Sequence, residues 1–568
     1  MKTKVNNIFR SLLLLCFGCA WNAALADNVV VADANGNQLI YSYTEATGNA
    51  TFTGVDSYSA DASKAGRIII ADQVTDAGDN THQVTAVGGS LSNRQNLVSV
   101  DIPDNITSIG SSAFSNCSNL TSVTIGTGVT TVEGWAFSYC TSLTSLVMRS
   151  VNLSSWGSYC FNNTNNIQRM ELDMKTIPND FYNGRQALTE LVLGEHVETI
   201  GNNAFKQSGL TSLILGENVT SLGASAFQES ASLQSVTFNS RLTAIPDYCF
   251  QSTGLTSVTI PNDITSIGSN AFQSCHNLAS VTIGTGVTTV GGWAFSYCES
   301  LTSLVIRSVD LSSWGSNCFY STNNIQHMEL DVKTIPNGFY DGRQALTELV
   351  LGTHVETIGN NAFKQSGLTS LILGENVTSI GTCAFQDNAS LTSVTFNSKL
   401  QTIGESAFHS CDLLTINVPD SVTSIGAYAF YKNEHMTTAT IGNGVETVGG
   451  YAFERCYALR DITFGTALTS FGSYPFNYDT LSSITFKGAT VPSGFSANSD
   501  VIIFVPSEYL TTYLENSTTN RYRIVELGST TDFNVTTTAG GQLQDKVEQL
   551  GNVRNVMKLK VSGFINGA

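Results

Sequence analysis

The chain has 568 residues, of which 42% are apolar and only 13% charged, with a formal net charge of −18. So little charge excludes a charge-driven disordered chain, and so acidic a balance leaves no basic face for a nucleic-acid partner. An anionic membrane surface is disfavoured for the same reason, whereas a soluble extracellular protein suits the charge.

Residues 1–26 read as a signal peptide. Lys2, Lys4 and Arg10 form a positive region, and residues 11–20 are an apolar stretch too short to span a bilayer. Ala24-Leu25-Ala26 is a small-x-small cleavage site with Asp27 following it. Cys19 is a weaker alternative as a lipidation site, because Cys16-Phe17-Gly18 makes a poor lipobox. Removing the three cations takes the net charge from −18 to −21. No later segment is apolar for long enough to cross a membrane, so a secreted or cell-surface location is expected.

Residues 27–83 alternate aromatic and polar pieces, such as 39–43 and 67–70, between Gly, Asp and Asn. They are expected to form a small N-terminal β cap. From 84 to 487 one pattern recurs. Residues 120–140 (LTSVTIGTGVTTVEGWAFSYC) nearly repeat at 278–298, and the general form is L-x-x-V-x-I-x-x-x-V-x-x-I-G-x-x-A-F-x-x-C. Its Phe falls at 114, 137, 161, 181, 205, 227, 250, 272, 295, 319, 339, 363, 385, 408, 430, 453 and 476, and Leu91 takes that place one step earlier, making about eighteen units. So short and so persistent a period marks a solenoid.

Each unit predicts a short strand with Leu120, Val123 and Ile125 inward and Thr121, Ser122 and Thr124 outward. A turn and a second extended piece such as 129–132 follow. A Gly such as Gly110 or Gly201 is expected to permit the bend, and the Ala-Phe element closes the coil. One unit buries about six apolar side chains, worth roughly 9–18 kcal/mol. That does not cover the cost of ordering roughly 22 residues at about 1–2 kcal/mol each, so the units fold only as a stack. A longer period overlies the short one: 101–242 matches 259–400 at an offset of 158, as a duplicated block would. Residues 177–181 (IPNDF) and 335–339 (IPNGF) depart from the pattern by a shorter form.

Residues 488–527 read as a C-terminal cap, with a strand at 501–506, a helix at 507–515 and a strand at 522–527. Residues 528–537 read as a linker. A helix at 543–550 and a strand at 556–561 would open a further, incomplete domain within 528–568.

Runs such as Val422-Thr-Ser-Ile-Gly-Ala-Tyr-Ala-Phe430 and 106–117 (ITSIGSSAFSNC) resemble BspA-like leucine-rich repeats, known from secreted and surface proteins of Bacteroides-group bacteria. The resemblance covers roughly 84–487. It implies a leucine-rich-repeat-type, β-rich solenoid and a surface protein linked to adhesion.

Nothing in the sequence points to an enzyme or a cofactor. The histidines at 82, 196, 276, 327, 354, 409 and 435 show no metal-ligand spacing, and no nucleophile elbow or P-loop occurs. Cys117 and Cys140 share a column on adjacent rungs, as do Cys275 and Cys298, within reach of a disulfide. Small residues fill that column elsewhere, which favours buried thiols. The binding candidates are aromatics expected at the surface and their arginines: Trp135, Tyr139, Trp156, Tyr182 and Arg185, repeated as Trp293, Tyr297, Trp314, Tyr340 and Arg343. The expected partner is an extracellular protein, such as host matrix, or a glycan. A third possibility is a targeting arm whose catalytic domain lies beyond residue 568.

Overall fold

The computed structural model describes residues 27–43, 48–61, 64, 66–88, 91–476, 481–496, 501–516, 523–527, 532–537 and 558–563. The proposed leader and the helix expected at 543–550 lie outside the described residues. The fold is a parallel β-solenoid of about eighteen coils with almost no helix. The chain divides into two compact units: residues 1–278 with 289–299 and 315–320, and residues 279–288 with 300–314 and 321–568.

The first unit opens with strands of the 27–83 segment. Asp27–Ala32, Gln38–Tyr43 and Asn49–Ser57 form an antiparallel sheet, with Leu39, Tyr41 and Phe52 buried. Thr81–Val87 then pairs in parallel with both Asn49–Ser57 and Ser108–Ile109. This one strand joins the antiparallel sheet to the parallel stacking of the coils.

Every coil has three sides. The first is a short strand, as at Ser99–Ile102, Ser122–Ile125, Ser145–Met148, Arg169–Leu172 and Glu190–Leu193, paired in register. The alternation works as expected: Leu120, Val123 and Ile125 are buried, while Thr121 faces solvent. The second side is a still shorter strand such as Thr131–Val132. The third carries the Phe column. Phe114 N–H donates to Ala136 O at 2.8 Å, and Phe227 N–H to Cys249 O at 3.0 Å, so this side is also laced by backbone bonds between coils. The rings stack face to face: Phe114 and Phe137 are 5.3 Å apart at 6°, and Phe272 and Phe295 are 5.3 Å apart at 2°.

The glycine that precedes this side serves a purpose other than the one expected. Gly201 does not take a positive φ. A Cβ there would lie 2.6 Å from Asn179 N in the preceding coil, so glycine is needed for close approach rather than for a bend. The left-handed backbone occurs instead two positions before and two after the Phe, and it is mostly non-glycine, as at Ser112 and Asn116.

The second unit repeats this plan. Ser280–Ile283, Ser303–Ile306, His327–Leu330 and Glu348–Leu351 pair in parallel. Short strands from Thr334–Ile335 to Ser470–Phe471 form a seven-stranded sheet. The Phe column runs face to face from Phe363 to Phe476. The strand Ile502–Val505, the helix Leu510–Glu515 and the strand Arg523–Glu526 close the unit. Tyr513 of that helix is buried against Phe486, with its hydroxyl donating to Thr490 O at 2.8 Å. The linker expected at 528–537 contains a strand, Asp532–Thr537, which pairs in parallel with Lys558–Gly563. Its alternation of Phe533 and Val535 with polar residues suits a strand better than a linker.

All ten cysteines from Cys117 to Cys456 are thiols, and nine are buried. Cys140 Sγ donates to Phe114 O at 3.1 Å, and Cys275 Sγ to Phe250 O at 3.2 Å. Burial pushes the Cys140 thiol up to about 12 and the Cys160 thiol up to about 11.

Candidate binding surface

The ten candidate residues separate into three environments. Tyr182 and Tyr340, expected at the surface, are fully buried. Tyr182 Oη donates to Thr164 O and accepts from Ile167 N–H, both at 3.1 Å, and burial raises its pKa to about 12. Tyr340 makes the equivalent pair with Thr322 O and Ile325 N–H. Arg185 lies over the Tyr182 ring at 5.0 Å and donates from Nη2 to Phe161 O at 2.8 Å. Arg343 lies over Tyr340 in the same way. The two tyrosines are core residues of the short coils, and the half-buried arginines cover them.

Trp156 and Trp314 are half-buried. Trp156 packs 5.4 Å from Phe161 and 4.8 Å from Phe181, and Trp314 packs 5.2 Å from Phe339. Phe161 and Phe181, like Phe319 and Phe339 in the repeated block, are 20 residues apart, closer than the other neighbours in the column; Phe161 and Phe181 meet edge to face at 82°, and the indole fills the space their mismatch leaves.

Trp135, Tyr139, Trp293 and Tyr297 remain accessible, and the structure adds companions to them. Trp135 is 40% exposed, Tyr139 44% and Tyr159, on the next coil, 65%. The Trp135 and Tyr159 rings are 4.9 Å apart. In the repeated block Trp293 lies 5.1 Å from Tyr320, which also meets Tyr297 at 5.6 Å.

A longer row, absent from the sequence-based candidates, occurs on three consecutive coils of the second unit. Tyr428 and Tyr451 stack 4.9 Å apart at 6°, and Tyr451 and Tyr474 follow at 5.6 Å. Tyr428 N–H donates to Gly450 O, and Tyr451 N–H to Ser473 O, both at 2.9 Å, which sets the spacing of the row. Beside it Tyr431 stacks on His409 at 4.7 Å and lies under Arg455 at 5.5 Å. The signal was present in the sequence: each of these three tyrosines stands two positions before its Phe, as Trp135 does, and recurs with the period of the Phe column.

This position has a specific backbone. Trp135, Tyr159, Trp293, Tyr428, Tyr451 and Tyr474 all have φ between 50° and 63°. Elsewhere in the column Asn203, Asn270, Asn317 and Asn361 occupy it, as the left-handed region favours. Placing a large side chain there costs about 1–2 kcal/mol. The rings stack on one another across coils, as Tyr428 does on Tyr451, which offsets part of that cost.

A family profile described as "BspA type Leucine rich repeat region (6 copies)" matches residues 89–208, 175–302, 265–392 and 384–497. The chain belongs to the BspA-type leucine-rich repeat family. Among solved structures it is similar to a leucine-rich repeat protein from Bacteroides ovatus, with 21% identity, coverage of 75% of this chain and 92% of that one, and a TM-score of 0.35. It is also similar to a leucine-rich cell surface protein from Faecalibacterium prausnitzii, at 24% identity, 77% and 95% coverage and a TM-score of 0.24. A third similarity is to the pneumococcal vaccine antigen PcpA, at 16% identity, 88% and 99% coverage and a TM-score of 0.23. No curated protein matches the chain. Among the described residues of this BspA-type protein, no helix is long and apolar enough to cross a membrane, and no group of three or more His, Cys, Asp or Glu could hold a metal ion.

Proposed function

We propose that this BspA-type protein is exported through residues 1–26 and acts as an adhesin-like interaction protein, binding host or neighbouring-cell proteins through rows of aromatics on successive coils. The observation that carries this reading is the placement of Trp135 with Tyr159, and of Tyr428, Tyr451 and Tyr474, at left-handed positions outside the core. Aromatics are the residues enriched at protein-interface hot spots, and repetition along a row supplies avidity from weak contacts. Within the tyrosine row the ring faces are used on one another, so edges and hydroxyls point outward. Such edges suit polypeptide groups better than sugar rings, which need an open aromatic face. The alternative, a glycan-binding surface, is favoured at Tyr474, which ends the row and is 58% exposed.

The test is binding of the mature chain, residues 27–568, to arrays of extracellular-matrix proteins and of glycans. Saturable protein binding that persists in excess free sugar and is lost in a Tyr451→Ala/Tyr474→Ala variant supports the proposal. Binding abolished by free sugar transfers the row to the glycan reading, and silence on both arrays overturns both.

A further inference from the structure

The block that repeats at an offset of 158 carries one surface feature in both copies. Trp135 meets Tyr159 of the next coil at 4.9 Å, and Trp293 meets Tyr320 of the next coil at 5.1 Å. The two tyrosines do not correspond. Tyr159 becomes Asn317 in the second copy, and Tyr320 stands where the first copy has Asn162. The tyrosine has moved from two positions before the Phe to one position after it, yet its contact with the tryptophan is kept. That substitution points to the cluster, more than to either tyrosine, as the feature held in common. Tyr139 and Tyr297, on the same coils as the tryptophans, complete the two clusters.

The polar tips of these rings are unused. In the core, Tyr182, Tyr340 and Tyr513 all donate their hydroxyls to backbone carbonyls. The indole N–H groups of Trp135 and Trp293 and the hydroxyls of Tyr159 and Tyr320 bond no protein group among the described residues. Charge is nearly missing as well. Residues 269–274, 291–298 and 315–321, which build the third side around Trp293, contain no Asp, Glu, Lys or Arg. The equivalent stretches 111–116, 133–140 and 157–163 contain only Glu133, whose carboxylate accepts from Ser111 N–H at 2.8 Å.

The rings are inclined to one another: 30° for Trp135 and Tyr159, 54° for Trp293 and Tyr320, and 68° for Tyr297 and Tyr320. Inclined rings leave a notch between them. A notch suits a compact pyrrolidine ring, whereas a pyranose stacks on a flat face. The indole N–H is a donor only, and the backbone carbonyls of a polyproline II segment are acceptors with no partner in their own chain. Such a segment is already extended before it binds, so little ordering entropy opposes a shallow contact.

We propose that the Trp135–Tyr159 and Trp293–Tyr320 clusters are two equivalent docking sites for an uncharged, proline-rich polypeptide segment in the polyproline II conformation. This deepens the proposed function and rests on the reading of the aromatics as a protein-binding surface. A charged segment finds no counter-charge around the rings. A second copy of this chain is not the occupant, because its 9 prolines stand singly along the sequence.

The experiment titrates a fluorescently labelled peptide of repeated Ala-Pro-Pro into the mature chain and follows its anisotropy. A labelled peptide of repeated Ala-Gly-Ser and a labelled neutral cello-oligosaccharide are the controls. The expected result is binding of two Ala-Pro-Pro peptides per chain and of neither control. Asn already stands two positions before the Phe at Asn203 and Asn270, so Trp135→Asn and Trp293→Asn keep the left-handed backbone, and unchanged thermal melts would verify it. Each variant is expected to weaken its own site roughly tenfold, halving the tight stoichiometry, and the double variant to lose it. Equal binding to the double variant, or no binding to the unaltered chain, overturns the inference. Saturable oligosaccharide binding that the double variant loses also overturns it and gives the clusters to a sugar. The double variant on the matrix-protein array separates the two proposals. Undiminished array binding with no peptide binding leaves the adhesin reading standing on Tyr428, Tyr451 and Tyr474 without these sites. Peptide binding with silent arrays keeps the sites and removes the adhesin reading.

Discussion

From Phe250 through Phe272 to Phe295 the Phe column advances in nearly equal steps, and its rings stack at 11° and 2°. From Phe161 to Phe181 the step is shorter, and the rings meet at 82°. The two stretches share a hydrogen-bonded backbone and differ in how the third side is filled. Where the coil length is regular, the Phe completes the core, and aromatics two positions before it stack on one another at the surface, as Tyr428 does on Tyr451. Where the coil is short, the stack cannot continue. Trp156 then wedges against both rings, Tyr182 turns inward to bond Thr164 and Ile167, and Arg185 covers it. The same residue types are therefore surface in one place and core in the other, decided by a small difference in coil length.

The largest test of this contrast is at the regular stack. Phe272→Ala removes a ring held between two parallel neighbours and should cost about 3–5 kcal/mol, seen as a lower urea midpoint. A loss well under that would mean the stack relaxes around the gap. At the short coil Tyr182→Phe keeps the ring and deletes the hydroxyl that serves Thr164 O and Ile167 N–H. Leaving those buried groups unpartnered should cost about 1–3 kcal/mol; an unchanged midpoint would show that the hydroxyl is dispensable.

Thiol chemistry compares the dryness of the two regions. Cys249 beside the regular stack and Cys160 at the short coil are both buried, and burial raises both thiols. Neither should be alkylated by iodoacetamide near pH 8 in the native state, whereas Cys383, half-buried and raised by partial burial, should react slowly but ahead of them. Mass spectrometry should find that site modified first and all ten on unfolding. Early modification of Cys160 alone would mean that the short coil opens.

The smallest effect is expected outside either region. His435 is raised above its ordinary value of 6.5, chiefly by its hydrogen bond to Asp412. Its contribution is present in full below 6.5 and is lost as pH rises through the folded value. His435→Asn should therefore flatten the fall of stability with pH in that window, measured by thermal melts, and leave the melts below pH 5 no higher than before.

Much of the fold was legible because a repeat states its own rule many times. Phe114 to Phe476 and the alternation at Leu120, Val123 and Ile125 name the strand, the inward face and the third side without further information. The strands Gln38–Tyr43 and Ile502–Val505 and the helix Leu510–Glu515 were legible from local pattern. The strand at Asp532–Thr537 was not, because its Thr-rich composition reads equally well as a linker until a partner strand is found. The candidate site was half legible. Trp135 and Tyr139 stand at the surface as expected, while Tyr182 and Tyr340 do not.

Spacing along the chain is enough to settle the periodic properties: coil length, which side chains turn inward, and the family. The remaining properties depend on neighbours from other coils and emerge only once the coils are stacked. Close approach to Asn179 explains Gly201. The mismatch of Phe161 and Phe181 draws Trp156 and Tyr182 into the core. A tyrosine from the next coil meets Trp135 in one block and Trp293 in the other. None of these can be read from one coil, because the contact that fixes each residue's fate is made by the coil above or below it.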